Sequence, residues 1–186
     1  MNYEMRDGVF AEPEVGANAW LSQLIPQIMR GGAVAAPGDA AVDAVLPVTC
    51  ARQSLLISMP GAGGQQWHVD GGHLSPARHL PAHAVNVFVA LTDITLDMGP
   101  TELRPASHFL TRRMAKMMLL AKVKKRLHVP VTPTMRAGDA VVFDYRVLHR
   151  GTPNTSERPR AMLELVYWRE GWSDLLNFSK RSVFDT

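Results

Sequence analysis

The chain has 186 residues, of which 46% are hydrophobic and 20% are charged, and its formal net charge is +3. This length and composition predict one globular domain with a substantial core, and they exclude a uniformly disordered chain. The small net charge does not favour a nucleic-acid-binding protein, and no apolar run approaches the ~18 residues of a membrane-spanning helix. The single cysteine, Cys50, excludes an internal disulfide and a Cys-rich zinc site, and it fits the cytoplasm or another reducing compartment.

The N-terminal part of the chain predicts one short helix between irregular segments. Residues 1–17 are polar and contain Gly and Pro, which is typical of irregular structure. Asn18 is a helix-capping residue type, and Pro26 lies within the helical run, so we expect a kinked or short helix. Residues 31–47 are rich in Gly, Ala and Pro and predict a loop. The apolar positions at helical spacing are Trp20, Leu21, Leu24, Ile25 and Ile28.

From residue 48 onward, short strand-like runs alternate with turn residues. Many short strands separated by turns predict a mainly β fold, either a sandwich or a double-sheet barrel such as the jelly roll. We therefore divide the single domain into an N-terminal lead-in, residues 1–47, that packs on a jelly-roll core, residues 48–186. The predicted strands are 54–59, 84–92, 101–105, 129–135, 140–145 and 160–168.

One segment, residues 111–128, breaks this pattern and predicts a helix with apolar residues on one side. Between residues 112 and 126 there are seven basic side chains and no acid. A solvated helix face is the simplest interpretation, and recognition of an anionic substrate group, such as the phosphates of an acyl-CoA, is the alternative. Contact with a membrane surface or nucleic acid is a weaker alternative, and it predicts a steep dependence of affinity on salt.

Two histidines and one aspartate form the most informative pattern in the sequence. His68 and Asp70 are two residues apart, so an extended segment points both side chains to the same face. His149 follows the apolar run 140–148, and we expect it to end that strand and to complete a metal site from the opposite sheet. Two imidazoles and one carboxylate are the ligand set of non-haem Fe(II) oxygenases, which leaves coordination positions for a 2-oxo acid and O2.

Arg160 is the second component of this pattern. It lies eleven residues beyond His149, on a predicted strand, and a guanidinium suits the distal carboxylate of a 2-oxo diacid. The alternative is a surface arginine paired with Glu157 or with Glu164, which shares a strand face with Arg160 and could pair with it inside the barrel. A His-x-Asp pair alone arises often by chance, so the prediction depends on these residues occurring together.

A series of short motifs follows in a characteristic order. They are Pro60-Gly61, Gln66-Trp67-His68-Val69-Asp70-Gly71, Leu91-Thr92-Asp93-Ile94-Thr95, Gly99-Pro100-Thr101-Glu102, Pro105-Ala106-Ser107-His108, Gly138-Asp139, His149-Arg150-Gly151-Thr152-Pro153-Asn154 and Arg158-Pro159-Arg160. This order resembles the phytanoyl-CoA dioxygenase family of Fe(II)/2-oxoglutarate oxygenases. The resemblance covers about residues 54–168, most of the chain.

The resemblance implies a double-stranded β-helix, or jelly roll, in which His68, Asp70 and His149 bind Fe(II). It implies that Arg160 anchors the C5 carboxylate of 2-oxoglutarate, with Arg158 as the second choice, and that O2 is consumed. The expected reaction is hydroxylation of a small organic or acyl substrate, with release of succinate and CO2. Related halogenases have a small residue at the position of Asp70, so its presence favours hydroxylation or another oxidation.

Two polar residues within predicted strands are further candidates for cofactor binding. Asn86 interrupts an apolar strand; facing inward it would contact 2-oxoglutarate or substrate, and facing outward it would have no such role. Thr101 has the same status. His73, His79 and His83 form a second cluster, but intervening prolines argue against the helix that a His pair at i, i+4 needs, so we expect a loop over the iron pocket rather than a second metal site.

The chain departs from the family pattern at two places. Ala106 replaces a glycine before the Ser-His pair, which is a mild change in a turn. Only 67 residues precede His68, so we expect a minimal or truncated member whose pocket is open on one side. Two other functions fit this pattern, namely a non-catalytic jelly-roll protein that binds metal or ligand and a cupin-like oxygenase that uses iron without 2-oxoglutarate. We expect a small-molecule substrate and no nucleic-acid partner, and the identity of the substrate and the oligomeric state stay open.

Overall fold

The computed structural model describes residues 2–4, 13–30, 47–122, 129–174 and 177. The prediction of a mainly β protein is confirmed, since strands dominate these ranges. None of the helices in these ranges has the length and apolar content that crossing a lipid bilayer requires. The strands are β1 (Asn2–Glu4), β2 (Val48–Ser58), β3 (Ala84–Ala90), β4 (Thr101–Leu103), β5 (Ala140–Asp144), β6 (His149–Gly151) and β7 (Arg160–Arg169). The helices are α1 (Pro13–Gly16), α2 (Ala19–Arg30) and α3 (Met114–Lys122).

Two antiparallel sheets build the core. The larger sheet has the strand order β1-β2-β7-β3-β5, and the smaller sheet consists of β4 and β6. The two longest strands, β2 and β7, pair from Val48 opposite Arg169 to Ser58 opposite Arg160, with an irregularity between Cys50 and Arg52. Every neighbour pair in the larger sheet except β1-β2 joins strands that are not consecutive in the chain. This crossover topology is typical of double-sheet jelly rolls.

The strands β7 and β3 of the larger sheet are largely buried on both faces, because different elements cover the two faces. On its outer face, a cluster packs α2 against the sheet: Ile25, Met29, Val85, Val87, Leu163, Leu165 and Tyr167. On its inner face, a second cluster reaches toward the smaller sheet: Phe88, Ala90, Ile94, Leu103, Met135, Phe143, Val147 and Met162. A strand that is buried on both faces has a continuous run of apolar residues, so the sequence was sufficient to predict β3.

The helix predicted after Asn18 is present as α2. The Asn18 Oδ1 accepts a hydrogen bond from the Trp20 backbone N–H at 2.9 Å, and Pro26 lies inside the helix without ending it. The apolar positions divide between two faces, because Ile25 and Met29 are buried whereas others reach solvent. The exposed positions, spaced by four, are Trp20, Leu24 and Ile28. The predicted loop at 31–47 falls, except for residue 47, outside the described residues.

Two predicted strands differ from the structure. Residues 129–135 form only isolated bridges, of Val131 with Leu103 and of Met135 with Ile94, because the prolines in this segment lack the N–H that a ladder needs. The run 140–148 is not one strand. β5 ends at Asp144, whose carboxylate accepts hydrogen bonds from the backbone and side chain of Arg146, and the chain turns there into the smaller sheet. The expectation that His149 ends a strand is therefore wrong, since His149 begins β6.

The backbone of Ala106 is left-handed, which explains why the family that the motifs resemble usually has a glycine at this position. Ala106 has φ 57° and ψ 9° at the start of a 3₁₀ turn, Ser107–Phe109, and among the described residues other than glycine it alone has positive φ. L-residues with a Cβ are strained in this region, whereas glycine is not. The predicted helix at 111–128 is present as α3, and residues 123–128 lie outside the described ranges.

Candidate metal centre

The His68-Val69-Asp70 segment lies beside the start of β6. The backbone N–H of His68 donates to the carbonyl of His149 at 3.0 Å, and the N–H of His149 donates back to the carbonyl of His68 at 2.9 Å. The N–H of Asp70 donates to the Tyr145 carbonyl at 3.1 Å. This isolated antiparallel bridge brings the two histidines side by side, with ring centroids 4.3 Å apart.

His68, Asp70 and His149 form a compact set of potential ligands. One nitrogen from each imidazole and one carboxylate oxygen all lie within 4.8 Å of one another. His68 Nε2 is 3.8 Å from Asp70 Oδ1, and His149 Nε2 is 3.5 Å from Asp70 Oδ2. Ligand atoms that each bind one ion at about 2 Å are separated by roughly 3–4 Å. The structure thus brings together the three residues that the sequence singled out as metal ligands.

The backbone determines which nitrogen of each imidazole is free. The Nδ1 of His68 lies 2.8 Å from the Gln66 carbonyl, and the Nδ1 of His149 lies 3.0 Å from the Val147 carbonyl. A carbonyl oxygen only accepts, so Nδ1 carries the proton in both rings and each neutral ring presents an Nε2 lone pair toward Asp70. Burial lowers the pKa of His149, because the imidazolium would lose its hydration. For His149, burial therefore favours the neutral form, which is the form that binds metal.

Asn86 faces the interior and holds the carboxylate of this set. It is fully buried on the inner face of β3, and its Nδ2 donates to Asp70 Oδ2 at 2.6 Å. The side chain of Asn177 also donates to the backbone carbonyl of Asp70. Asn86 therefore orients Asp70, a role that the sequence analysis did not assign. Its predicted contact with 2-oxoglutarate stays a prediction.

The ligand set opens into a cavity of about 570 Å³ between the two sheets. This volume is within the range of small-molecule sites. Thr101, on β4, is buried and lines the cavity, as the prediction of a cosubstrate contact requires. Apolar and polar residues share the rest of the wall: Leu56, Ile57, Ser58, Gln65, Phe88, Tyr145, Met162 and Glu164.

Arg160 begins β7 and points into the same cavity. Its side chain is 8% exposed, one Nη donates to the Gly99 carbonyl, and its Nε has no partner in the described part of the chain. Burial lowers the pKa of Arg160, but a guanidinium stays charged in proteins. A buried cation that has no anion beside it among the described residues is unfavourable, so the site suits an acidic ligand. Arg158, by contrast, is exposed, and an Nη of its guanidinium lies near Met98 Sδ, at 3.8 Å.

Glu164 lines the same cavity but does not pair with Arg160. The two share the inner face of β7, with Met162 between them, and four residues along a strand span about 13 Å. Glu164 is 9% exposed, and its Oε2 has no hydrogen-bond partner among the described residues. The pKa of Glu164 is raised to about 7, first by burial and then by the negative charge of Asp70, while a hydrogen bond with Ser54 opposes both. The expected Arg160–Glu164 pair is therefore wrong.

The second histidine cluster lies in a loop, as the prolines predicted. His73 Nδ1 is 3.2 Å from an Nη of Arg146, and its Nε2 is 2.9 Å from the His108 carbonyl. Burial, and then the positive charge of Arg146, lower the pKa of His73 to about 4. Over the described ranges, the only set of His, Cys, Asp or Glu side chains with metal-binding geometry is the one already given. The guanidinium at the centre of this cluster explains why it is unsuited to a cation.

The α3 helix packs beside the ligand segment. Its Met117 is buried against Leu148, Trp67 and Val69. Trp67 lies under two guanidinium groups, with Arg104 and Arg150 at 4.5 and 4.8 Å from its ring centroid. Trp67 is therefore part of the packing, as the sequence suggested. The role of the basic residues of 112–126 stays open, since part of this segment lies outside the described residues.

A family profile described as phytanoyl-CoA dioxygenase (PhyH) matches residues 11–162. Two curated relatives are dioxygenase hkm4 of Aspergillus hancockii and dioxygenase easH of Epichloe festucae var. lolii. The first is 33% identical over 111 residues, which cover 58% of this chain and 34% of the relative. The second is 32% identical over 100 residues, which cover 52% of this chain and 50% of the relative. The chain thus spans half or less of the length of these relatives.

Solved structures share the fold at low sequence identity. The non-heme alpha ketoglutarate dependent carbocyclase SnoK from nogalamycin biosynthesis superposes with a TM-score of 0.55 and 24% identity, over 67% of this chain and 51% of SnoK. The epimerase SnoN, in complex with Fe3+, alpha ketoglutarate and nogalamycin RO, has a TM-score of 0.51 and 22% identity, over 66% of this chain and 50% of SnoN. The predicted jelly roll is confirmed by this shared fold. Because the profile also matches most of the chain, the protein belongs to the phytanoyl-CoA dioxygenase family.

Proposed function

We propose that the protein is an Fe(II)/2-oxoglutarate-dependent dioxygenase that hydroxylates a small organic or acyl molecule, with release of succinate and CO2. One observation carries this proposal. The buried guanidinium of Arg160, with its unpartnered Nε, enters the same cavity as two imidazoles and a carboxylate. The names of the relatives support it, since hkm4 and easH are called dioxygenases and SnoK is called alpha ketoglutarate dependent.

The residues fit a divalent iron. His68 and His149 would bind it through Nε2, because their Nδ1 atoms donate to backbone carbonyls. Asp70 would add a carboxylate oxygen, with its orientation maintained by Asn86. Iron with these ligands supplies activation of O2 driven by oxidation of a 2-oxo acid. The protein's contribution is to position the reactants and to exclude water from them.

Arg160 would hold the distal carboxylate of 2-oxoglutarate. Its Nε has no partner among the described residues and would donate to the carboxylate, while the Gly99 carbonyl fixes one Nη. Gly99 itself has φ 76°, and a Cβ there would lie 2.6 Å from the Thr152 carbonyl, so only glycine allows this backbone contact. Thr101 would add a hydroxyl to the cosubstrate site, and Phe88 and Met162 would shield it from water.

Anaerobic titration tests the proposal. Fe(II) and then 2-oxoglutarate are added to purified protein, and the weak visible metal-to-ligand charge-transfer band is followed; O2 is then admitted and succinate is measured. We expect a band and succinate formation. Arg160→Leu should lower the affinity for 2-oxoglutarate by at least about a hundredfold while Fe(II) still binds, since a lost hydrogen-bonded charge pair costs about 3–5 kcal/mol. The matched variant Arg158→Leu should bind 2-oxoglutarate like the wild type.

The outcomes separate the alternatives. A folded protein with no band and no succinate would favour a non-catalytic binding protein. Unchanged turnover of Arg160→Leu would favour an oxygenase that does not use 2-oxoglutarate. Hydroxylation is distinguished from cyclisation or epimerisation, the reactions named for SnoK and SnoN, because only hydroxylation adds the mass of one oxygen atom to the organic product.

A further inference from the structure

Among the described residues that line the cavity, Glu164 is the one acidic or basic side chain that the proposed reaction does not use. It lies on the inner face of β7, in register with Ser54 on β2 and Phe88 on β3. Its side chain is 9% exposed and lines the cavity, and its Oε2 has no hydrogen-bond partner in the described ranges. A buried carboxyl oxygen without a partner destabilises a fold. A ligand group bound in the cavity beside Oε2 would supply that partner.

The charges around the cavity determine what kind of ligand this is. In the loaded site, the two positive charges of Fe(II) and the one of Arg160 would balance the two negative charges of 2-oxoglutarate and the one of Asp70. The loaded site therefore has no spare positive charge for an ionised Glu164. Ser54 and Phe88, which flank Glu164 on the neighbouring strands, carry no charge. A buried carboxylate needs a cationic partner, and a protonated amine supplies one.

Glu164 and Arg160 also divide the cavity between opposite charges. Met162 separates them on the same strand face, and the strand geometry places their Cα atoms about 13 Å apart. The cation thus lies at the end where the 2-oxo acid is proposed to bind. The carboxyl group lies four residues further along β7, between Arg160 and the level of Asn86, which holds the Asp70 carboxylate. Glu164 is therefore near the metal ligands, where the primary substrate would also lie.

We propose that Glu164 determines substrate specificity by binding a protonated amino group of the primary substrate, so that the substrate class is small organic amines. This inference rests on the proposed function, because it assigns the primary-substrate part of the same cavity. The interaction is an ion pair between the Glu164 carboxylate and the substrate ammonium, with no covalent step. The reacting carbon would belong to the same molecule and would be held near the metal by this contact.

Two pairs of probes test the inference, each matched in size and differing in one functional group. They are benzylamine with benzyl alcohol, and cyclohexylmethylamine with cyclohexylmethanol. Each probe is titrated by calorimetry into anaerobic protein loaded with Fe(II) and 2-oxoglutarate, and also into metal-free protein. We expect at least one amine to bind the wild type about tenfold or more tightly than its alcohol, since close charge pairs contribute this much or more. Glu164→Gln should abolish the preference, and Glu157→Gln, at an exposed position, should retain it.

Thermal unfolding distinguishes recognition from a structural role. If Glu164 serves the substrate, Glu164→Gln and Glu164→Leu should leave the Tm of the ligand-free protein unchanged or raise it, because each replaces a buried acid that has one oxygen without a partner among the described residues. A Tm that falls in both variants would contradict the inference. So would equal binding, or no binding, of amine and alcohol in both pairs, or a preference that survives Glu164→Gln.

The two proposals fail separately. An absent charge-transfer band, together with an amine preference in metal-free protein that Glu164→Gln abolishes, would overturn the oxygenase proposal and retain the amine site. A normal band without any amine preference would overturn the amine site and retain the oxygenase.

Discussion

Replacing Asn86 by leucine removes the side-chain hydrogen bond that orients the Asp70 carboxylate. The Nδ2–Oδ2 distance is 2.6 Å and Asn86 is fully buried, so water cannot take the place of the lost donor. A hydrogen bond to a charged group contributes about 1.5–3 kcal/mol. If that contribution is lost from metal binding, the affinity for Fe(II) should fall about ten- to a hundredfold, which agrees with the usual effect of removing a residue that orients a metal ligand.

The measurement is an anaerobic competition titration of Fe(II) against a chromophoric chelator. Wild type and Asn86→Leu are compared, with Gln27→Leu as the control, because Gln27 is an exposed amide on α2 far along the chain from the ligand set. Circular dichroism and Tm establish that each variant is folded. Asn86→Asp should also weaken Fe(II) binding, because it places a second carboxyl group where the amide donates to Asp70.

Equal Fe(II) affinity of folded Asn86→Leu and wild type would refute the reasoning, since it would mean that Asp70 needs no orientation or does not bind the metal. A loss of affinity in Gln27→Leu as large as that in Asn86→Leu would also refute it, because the effect would then not come from the site.

Three further predictions concern stability. Ala106→Gly should raise the free energy of unfolding by about 1 kcal/mol, because φ 57° strains alanine but not glycine. The control Ala115→Gly, on α3, should lower the free energy of unfolding by a similar amount. Tm changes of the same sign in both variants would contradict this prediction. The pKa of Glu164 is raised to about 7 in the folded protein, mainly by burial. The folded protein therefore keeps a proton on Glu164 at pH values above ~4.5, where the unfolded chain releases it. The wild type, without metal, should therefore lose stability relative to Glu164→Gln as the pH rises from 5 to 8, on the order of 3 kcal/mol; a Tm difference that is constant with pH would oppose this. Ile25→Ala should destabilise the fold by about 2–5 kcal/mol in chemical denaturation, because Ile25 is fully buried. Ile28→Ala should destabilise it less, because the Ile28 side chain is 40% exposed. Equal losses of stability in the two variants would mean that α2 packs on the sheet through a different face.

Local patterns were enough to predict most of the elements. The mostly apolar runs of β3 and β7 indicate strands, and Asn18 specifies the start of α2 by a contact two residues away. The same rules failed for β1, a three-residue strand that exists because it pairs with β2. They failed again at 140–148, where the charged residues Asp144 and Arg146 interrupt a mostly apolar run and form the turn that ends β5.

The sequence by itself determined that His68 and Asp70 point the same way, because their two-residue spacing in an extended segment is a local property. Only the tertiary structure decided that His149 lies beside them, that backbone carbonyls orient both imidazoles, and that Asn86 holds the carboxylate. It also separated Arg160 from Glu164, two residues that strand alternation had placed together. These contacts join distant parts of the chain or depend on reach along a strand, so they follow from the packing of two sheets and not from residue type and spacing.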